Sequence, residues 1–249
     1  MPLGNCPILS PRSLLPGAGV RGQRLPLPDP PLPLPHPSRP RGVRPGRRRN
    51  HTGGRVEHPL LTELERAIAE GNDARAEETA LQAGAALGNS LLPVLREWQN
   101  SPERDRRWWA ARTLAAVGTP KAVEGLLAAL QDPDPDVRAC AVVGLAALRP
   151  AEAVGPLVAR LSDPSACVAR LAADALARIG APAVPALIAA LQEGDTVTRI
   201  GAARALSIIG PEEAVPALCA ALDDPSALVT YYAEEALDKM GVGMVFFEP

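Results

Sequence analysis

Aromatic residues are scarce in this chain: Trp, Tyr and Phe make up 3% of its 249 residues, although 47% of the residues are apolar. A core must therefore be built from Ala, Leu, Val and Ile, which favours packed helices over a β-sandwich or barrel. No uninterrupted apolar run reaches the roughly 18 residues that a membrane helix needs, so we expect no membrane partner. Cys6, Cys140, Cys167 and Cys219 form no CxxC pair, which favours a reduced, cytoplasmic protein over a disulfide framework.

Residue types that hold metals or activate nucleophiles are also few. The chain has only three histidines: His36, His51 and His58. Asp132, Asp134 and Asp136 are spaced like the start of a calcium loop, but Val137 and Val143 stand where such a loop needs Gly and Glu. The sequence contains no GxSxG, P-loop or Gly-rich dinucleotide motif. We therefore predict no metal, no cofactor and no enzymatic activity.

Proline and charge are distributed unevenly along the chain. Residues 1–56 contain 13 of the 28 prolines and ten Arg with one acidic residue, which leaves 16 basic and 27 acidic residues in 57–249. Because proline removes backbone donors and fixes φ, we predict an extended or disordered head over 1–56. An alternative interpretation is a misplaced translation start, with Val56 as the candidate first residue. The acidic remainder makes a nucleic-acid partner unfavourable.

From Leu91 onward, the same apolar pattern recurs every 30 or 31 residues. One stripe runs through Leu114, Leu145, Leu176, Leu206 and Leu237, and a second through Val123, Leu126, Leu130 and their equivalents. Each unit is therefore predicted to be two amphipathic helices. An Asp-Pro or Ser-Pro pair is predicted to cap the start of the second helix, and a Gly such as Gly118 to end it.

Segments such as DPDPDVRACAVVGLAAL, DPSACVARLAADALARIG and APAVPALIAALQ resemble the HEAT-like repeats named after the phycobilisome lyases, a subclass of the HEAT family. The resemblance implies an all-α, right-handed α-solenoid of about five helical hairpins, with the second helices lining a concave face. The helical pattern of residues 59–70 and 73–87 predicts one more hairpin, which is expected to cap the N-terminal end of the stack. The predicted segments are a head (1–56), a capping hairpin (57–88), the repeat solenoid (89–241) and a C-terminal tail (242–249).

The resemblance also raises three enzymatic alternatives. HEAT-like deoxyhypusine hydroxylases bind two irons through His-Glu pairs, but no histidine here is followed by Glu or lies in the repeats. HEAT-like DNA glycosylases use aromatic and Arg side chains in a basic groove; Trp108, Trp109 and Arg112 are faintly similar, but the acidic charge opposes this activity. A bilin-lyase-type enzyme subunit has no short motif to test and stays open as the alternative function.

Arg107, Arg138 and Arg199 share one register of the repeat, and Ala169 stands where a fourth Arg would be. An Arg at this register resembles the structural residue of HEAT-like repeats that pairs with the turn Asp of a neighbouring unit. We therefore predict a ladder of ion pairs with one missing member.

A second set of positions points to a binding surface. Six and two residues before each stripe Leu, helix geometry turns the side chain about 160° from the core. Because Trp, Tyr and Arg are common interface anchors, these positions predict a scaffold that binds a protein or peptide on the concave face. The other interpretation is that Trp108 or Tyr231 covers an end of the stack. The predicted contact residues are Trp108, Arg112, Val143, Arg170, Ile200, Arg204 and Tyr231.

Overall fold

A computed structural model describes residues 58–242, and the predictions for the head and for residues 243–249 lie outside these residues. Within 58–242 the chain forms twelve α-helices, joined by turns and short 3-10 segments, and no strand. The helices are α1 (Pro59–Glu70), α2 (Asp73–Leu87), α3 (Leu92–Gln99), α4 (Arg104–Val117), α5 (Pro120–Ala129), α6 (Pro135–Leu148), α7 (Val154–Val158), α8 (Ala166–Ile179), α9 (Val184–Glu193), α10 (Thr196–Ile209), α11 (Val215–Ala220) and α12 (Ala227–Lys239).

The helices stack as consecutive hairpins, each with a first (odd-numbered) and a second (even-numbered) helix. Every second helix packs against the second helix of the unit before and after it, from α2 through α12. First helices of neighbouring units contact one another less extensively. The predicted α-solenoid is therefore confirmed, since each unit buries its apolar stripes only by stacking on its neighbours.

The core consists of the two predicted leucine stripes. The stripe leucines of the second helices are all buried, and so are Leu126, Leu157, Leu187 and Leu218 of the first helices. Between stacked second helices the packing relies on small residues: a Cβ added to Gly144 in α6 would lie 2.9 Å from the Cβ of Ala115 in α4. Each buried Leu contributes about 1.5–3 kcal/mol relative to an exposed one, so the stripes supply most of the stacking energy.

Second helices end where a residue adopts positive φ. Gly118, Gly210 and Gly241 have φ of 64°, 65° and 74°, and Arg149 takes the same conformation at 53° in the unit that lacks the glycine. A left-handed residue reverses the chain here, so the next first helix can pack back on the stack.

Second helices begin two or three residues later than predicted. Asp134 and Asp195 are the residues whose side chains cap helices α6 and α10. The Asp of each Asp-Pro pair instead accepts the N–H two residues on, as Asp163 does from Ser165 at 2.9 Å. The prediction that this Asp caps the second helix is therefore wrong. Its carboxylate closes a tight turn and accepts hydrogen bonds from an arginine, as Asp163 does from Arg138.

No single helix in the described part of the chain is long and apolar enough to span a membrane. One pair of segments, Ala166–Ile179 and Ala181–Glu193, reaches the length and apolar composition of a membrane span only when the two are taken together, and they are bent by 119°.

Candidate binding face and its arginine pairs

Three arginines tie their second helix to the turn of the following unit. Arg138 donates from Nε and Nη2 to both carboxylate oxygens of Asp163, at 2.9 and 2.7 Å. Its Nη1 also donates to the carbonyl oxygens of Asp132 and Pro133, at 2.8 and 3.1 Å. Arg107 with Asp132 and Arg199 with Asp224 repeat the two-bond geometry. The predicted ladder of structural ion pairs is present.

Asp163 is the most enclosed member of the ladder. Its side chain has no exposed surface, and that of Arg138 is 10% exposed. Burial raises the pKa of Asp163, but the hydrogen bonds from Arg138 and from the Ser165 N–H, with the charges of Arg138 and Arg160, outweigh it and hold that pKa below its usual range. At Asp224 the hydrogen bond from Arg199 is the main cause of a lowered pKa.

The unit that lacks the ladder arginine is also without the aspartate that would pair with it. Each Arg pairs with an Asp 25 residues further on, and 25 residues after Ala169 the chain has Gly194. Helix α9 runs to Glu193 in this unit, and Asp195 caps α10 directly. Arg and Asp are therefore lost together, so neither charge is left buried without its partner.

On the opposite side of the second helices, two predicted contact arginines pair with carboxylates of the preceding unit. Arg112 forms two hydrogen bonds with Glu77 in α2, one from Nε at 2.8 Å. Arg204 donates to Asp174 in α8 at 2.8 and 3.2 Å. These pairs join neighbouring second helices across the outward surface, which we call the second-helix face and define by residues 112, 143, 174, 200, 204 and 231.

Arg204 also reaches forward to the next unit. Its Nη1 lies 3.4 Å from the hydroxyl oxygen of Tyr232, and its guanidinium carbon is 5.9 Å from the centre of that ring. Burial lowers the pKa of Arg204, but the bonds to Asp174 and Tyr232 outweigh it and raise that pKa overall. The side chain is thus fixed between α8 and α12 and holds Tyr232 edge-on to Tyr231, with ring centres 5.3 Å apart.

Trp108 does not face solvent. The prediction that it is an outward anchor is wrong, because the residue is 2% exposed and packs edge-on to Trp109 at 4.9 Å. Helix α6 is next to it in the stack, and the Sγ of Cys140 lies 3.8 Å from the Trp108 carbonyl oxygen. Burial raises the pKa of the Cys140 thiol to about 12, as expected for this interior position. Trp108 is a core residue.

The C-terminal part of the second-helix face is apolar. Tyr231 is 56% exposed, and Ile200, which shares its register, is partly exposed. Val197 and Leu228 lie three residues earlier on α10 and α12, and both are more than half exposed. The sequence analysis missed these two residues, although their position one helical turn before Ile200 and Tyr231 was a usable signal. Together the four side chains form one patch over two adjacent helices.

The remaining predicted contact residues lie nearer the middle of the stack. Val143 on α6 and Arg170 on α8 are both partly exposed. Val143 stands between the Arg112–Glu77 pair and the Arg204–Asp174 pair in the repeat register. The face therefore changes along the stack, from charged pairs around α4 to exposed apolar side chains on α10 and α12.

The aspartates that are spaced like a calcium loop have other partners. Asp132 accepts Arg107, Asp134 caps α6, and Asp136 lies 3.6 Å from Arg104. Within residues 58–242 no group of three His, Cys, Asp or Glu side chains is placed to hold a metal ion.

A separate groove of about 540 Å³ opens between α3 and α5. Its lining carries both signs of charge, since it includes Arg96, Lys121 and Glu124. Gln99 joins α3 to α5 by donating to the Gly125 carbonyl oxygen at 2.8 Å. The lining of this groove includes no histidine or cysteine.

The model of the HEAT-repeat family matches residues 59–146, 91–166 and 154–238. These matches overlap and cover well over half of the chain, which therefore belongs to the HEAT-repeat family. No curated protein matches the chain significantly.

Several solved structures are similar to it at low sequence identity. Human deoxyhypusine hydroxylase in complex with glycerol is 24% identical with a TM-score of 0.42, covering 75% of this chain and 82% of its own. A designed armadillo repeat protein in complex with the peptide (KR)4 is 19% identical with a TM-score of 0.40, covering 74% of this chain and 100% of its own. An engineered protein is 20% identical with a TM-score of 0.41, covering 75% of this chain and 98% of its own.

Proposed function

We propose that this HEAT-repeat protein is a non-enzymatic scaffold that binds a protein or peptide on its second-helix face. The observation that carries the proposal is an apolar patch in which Val197, Leu228 and Tyr231 are more than half exposed and Ile200 is partly exposed, although its helices α10 and α12 are firmly packed. Exposed aromatic and aliphatic side chains gathered on a rigid surface are typical of interaction sites.

The paired arginines support an apolar rather than a charge-driven contact. Arg204 is held by Asp174 and Tyr232, so it keeps the patch in shape without leaving a free positive charge. A partner that covers Tyr231 buries its ring against this fixed arrangement and loses little side-chain entropy in the scaffold. The contact residues of this proposal are therefore Ile200 and Tyr231, joined by Val197 and Leu228. Arg204 lies on α10 with Ile200, whereas Arg170, Val143 and Arg112 lie on α8, α6 and α4, progressively further along the same face.

The proposal includes a cytoplasmic location and membership of the subclass of HEAT-like repeats named after the phycobilisome lyases. The subclass rests on the short 30- to 31-residue units and their Asp-Pro turns. The cytoplasmic location rests on the spacing of the cysteines, since Cys6, Cys140, Cys167 and Cys219 form no CxxC pair.

A peptide-display library selected on the full chain tests the binding face. Peptides enriched on the wild type should bind Tyr231→Ala and Ile200→Ala about tenfold more weakly, which corresponds to about 1.4 kcal/mol for each lost anchor. Binding is measured by fluorescence polarisation, and melting curves confirm that both variants stay folded.

Ile208→Ala is the control, because Ile208 is an isoleucine of the same helix α10, is 53% exposed and lies about two helical turns beyond Ile200. It should leave peptide affinity unchanged. Equal losses in all three variants would contradict the assignment of the face. Transfer of a bilin to a protein acceptor, with no peptide enriched, would instead support the bilin-lyase alternative.

A further inference from the structure

The groove between α3 and α5 lies where the first-helix layer departs from the repeat. Gln99 stands at a register that the next three units fill with buried leucines: Leu130, Leu161 and Leu191. Arg96 stands at a register that the same units fill with half-buried apolar residues: Leu127, Val158 and Ile188. Both polar residues line the groove. Helix α3 therefore has polar side chains where the other units have apolar packing.

The groove has a fixed opening and an apolar wall. The Nε2 of Gln99 donates to the Gly125 carbonyl oxygen at 2.8 Å, which ties α3 to α5. A Cβ added to Gly125 would lie 2.8 Å from the Cδ1 of Leu114, so the absence of a side chain here lets Leu114 of α4 reach the groove. Leu92 and Ala128 also line the groove, one on each first helix.

Two basic side chains lie toward the same end of this groove. The first helices of a stack of hairpins run in the same direction, so positions on α3 and α5 can be compared from the tie between them. Arg96 comes three residues before Gln99. Lys121 comes four residues before Gly125. At a rise of 1.5 Å per residue, both lie about 5 Å before the tie, and both line the groove.

These two basic residues have no carboxylate partner in the described part of the chain. Within residues 58–242 neither Arg96 nor Lys121 forms an ion pair, and Glu124 of the same lining forms none either. Arg107, which also lines the groove, is already paired with Asp132. The unpaired charges of the lining are therefore two positive and one negative, in a chain whose residues 57–249 have 27 acidic and 16 basic residues.

We propose that this groove binds a small organic carboxylate, with the carboxylate at Arg96 and Lys121 and the apolar part of the ligand against Leu92 and Leu114. A guanidinium can donate two parallel hydrogen bonds to a carboxylate, and an ammonium adds a compact positive charge. Glu124 in the lining opposes a doubly charged anion such as phosphate. The volume of about 540 Å³ lies within the roughly 300–1,000 Å³ of small-molecule sites. The groove belongs to the first-helix layer and is separate from the second-helix face.

A set of three naphthalene probes tests the preference for a carboxylate. Binding of 2-naphthoate to the full chain is measured by ligand-observed NMR titration, beside the neutral 2-naphthalenemethanol and the cationic 2-(aminomethyl)naphthalene. The naphthoate should bind about tenfold more tightly than either counterpart. Arg96→Gln and Lys121→Gln should each weaken it about fivefold, as expected for one accessible charge pair, and Glu124→Gln should strengthen it. Arg178→Gln, on an exposed arginine of α8, is the control and should leave the affinity unchanged.

Blocking the groove tests the position of the site without changing any charge. Ala128 is exposed and lines the groove, and Ala189 is exposed at the same register of α9. Ala128→Trp should weaken naphthoate binding more than tenfold, and Ala189→Trp should not change it. Melting curves confirm that both variants stay folded.

Four outcomes would overturn the proposal. They are equal affinity for the three probes, unchanged naphthoate affinity in Arg96→Gln and Lys121→Gln, equal effects of the two Trp variants, and displacement of naphthoate by inorganic phosphate at an equal concentration. Loss of naphthoate binding in Tyr231→Ala would also overturn it, because the probe would then lie on the second-helix face. Peptide binding to that face should be the same in Ala128→Trp as in the wild type, so the two proposals can fail independently.

Discussion

Replacing Arg138 by Met tests whether the ladder of ion pairs holds the stack together. The change keeps the unbranched stem but removes two hydrogen bonds to Asp163 and two to backbone carbonyl oxygens. Asp163, which has no exposed side-chain surface, is then left with the Ser165 N–H and with Arg160 at 3.3 Å. Breaking a buried pair from one side costs about 3–5 kcal/mol, and the remaining Arg160 charge favours the lower end, about 3 kcal/mol.

Urea unfolding followed by far-UV circular dichroism measures this loss. Asp163→Leu and the double variant complete a cycle, and the double variant should lose about 2 kcal/mol less than the sum of the single variants, since neither charge is then left alone. Arg178→Met on the exposed side of α8 is the control and should change the free energy of unfolding by no more than about 0.5 kcal/mol. If Arg138→Met costs no more than this control, or if the two single losses simply add, the ladder does not have the stabilising role assigned to it.

Two further predictions concern pH and glycine. Asp163 and Asp224 have lower pKa values in the folded chain than the roughly 3.9 of an unfolded Asp, so their stabilisation is complete above about pH 4 and is lost as the pH falls through the folded values. The urea midpoint should fall with pH below 4 and fall less in Asp163→Leu; a midpoint that is constant in acid contradicts this. Gly194→Ala should destabilise by about 1–3 kcal/mol, because its Cβ would lie 2.5 Å from the Ala190 carbonyl oxygen. Gly155→Ala in α7, where nothing lies within 4 Å of the new Cβ, should be neutral or stabilise by up to about 1 kcal/mol in the same assay.

The repeat made the fold predictable from one sequence. Five copies of the same position, such as the Leu114 to Leu237 stripe, report the same environment, so a chance apolar residue in one unit does not mislead. The glycines that end the second helices were predictable for the same reason. The starts of these helices were not predictable. Asp132 and Asp163 stand before proline, as a capping residue does, but each accepts hydrogen bonds from an arginine 25 residues earlier in the chain. That partner belongs to another unit and is invisible to local capping rules.

The proposed binding face was harder to predict because helix geometry gives only the direction of a side chain from its own axis. Trp108 and Tyr231 point the same way in the repeat register, yet one is buried and the other exposed. The two residues differ in the next unit of the stack, since α6 packs on α4 whereas no helix is described after α12. Exposure in a solenoid therefore depends on the position of a unit in the stack as well as on register.

The position of the partner carboxylate in the chain distinguishes two roles of the arginines along the second helices. An Arg whose carboxylate lies 25 residues ahead, as Asp163 does for Arg138, joins its helix to the next turn inside the stack. An Arg whose carboxylate lies 30 or 35 residues behind, as Asp174 does for Arg204 and Glu77 for Arg112, joins second helices on their outward face. Both kinds are already paired before any partner arrives, so a partner that displaced them would have to replace these charge-assisted hydrogen bonds. The surface that a partner can cover at little electrostatic cost is the unpaired apolar one, which supports the proposed contact around Ile200 and Tyr231 rather than one on the arginines.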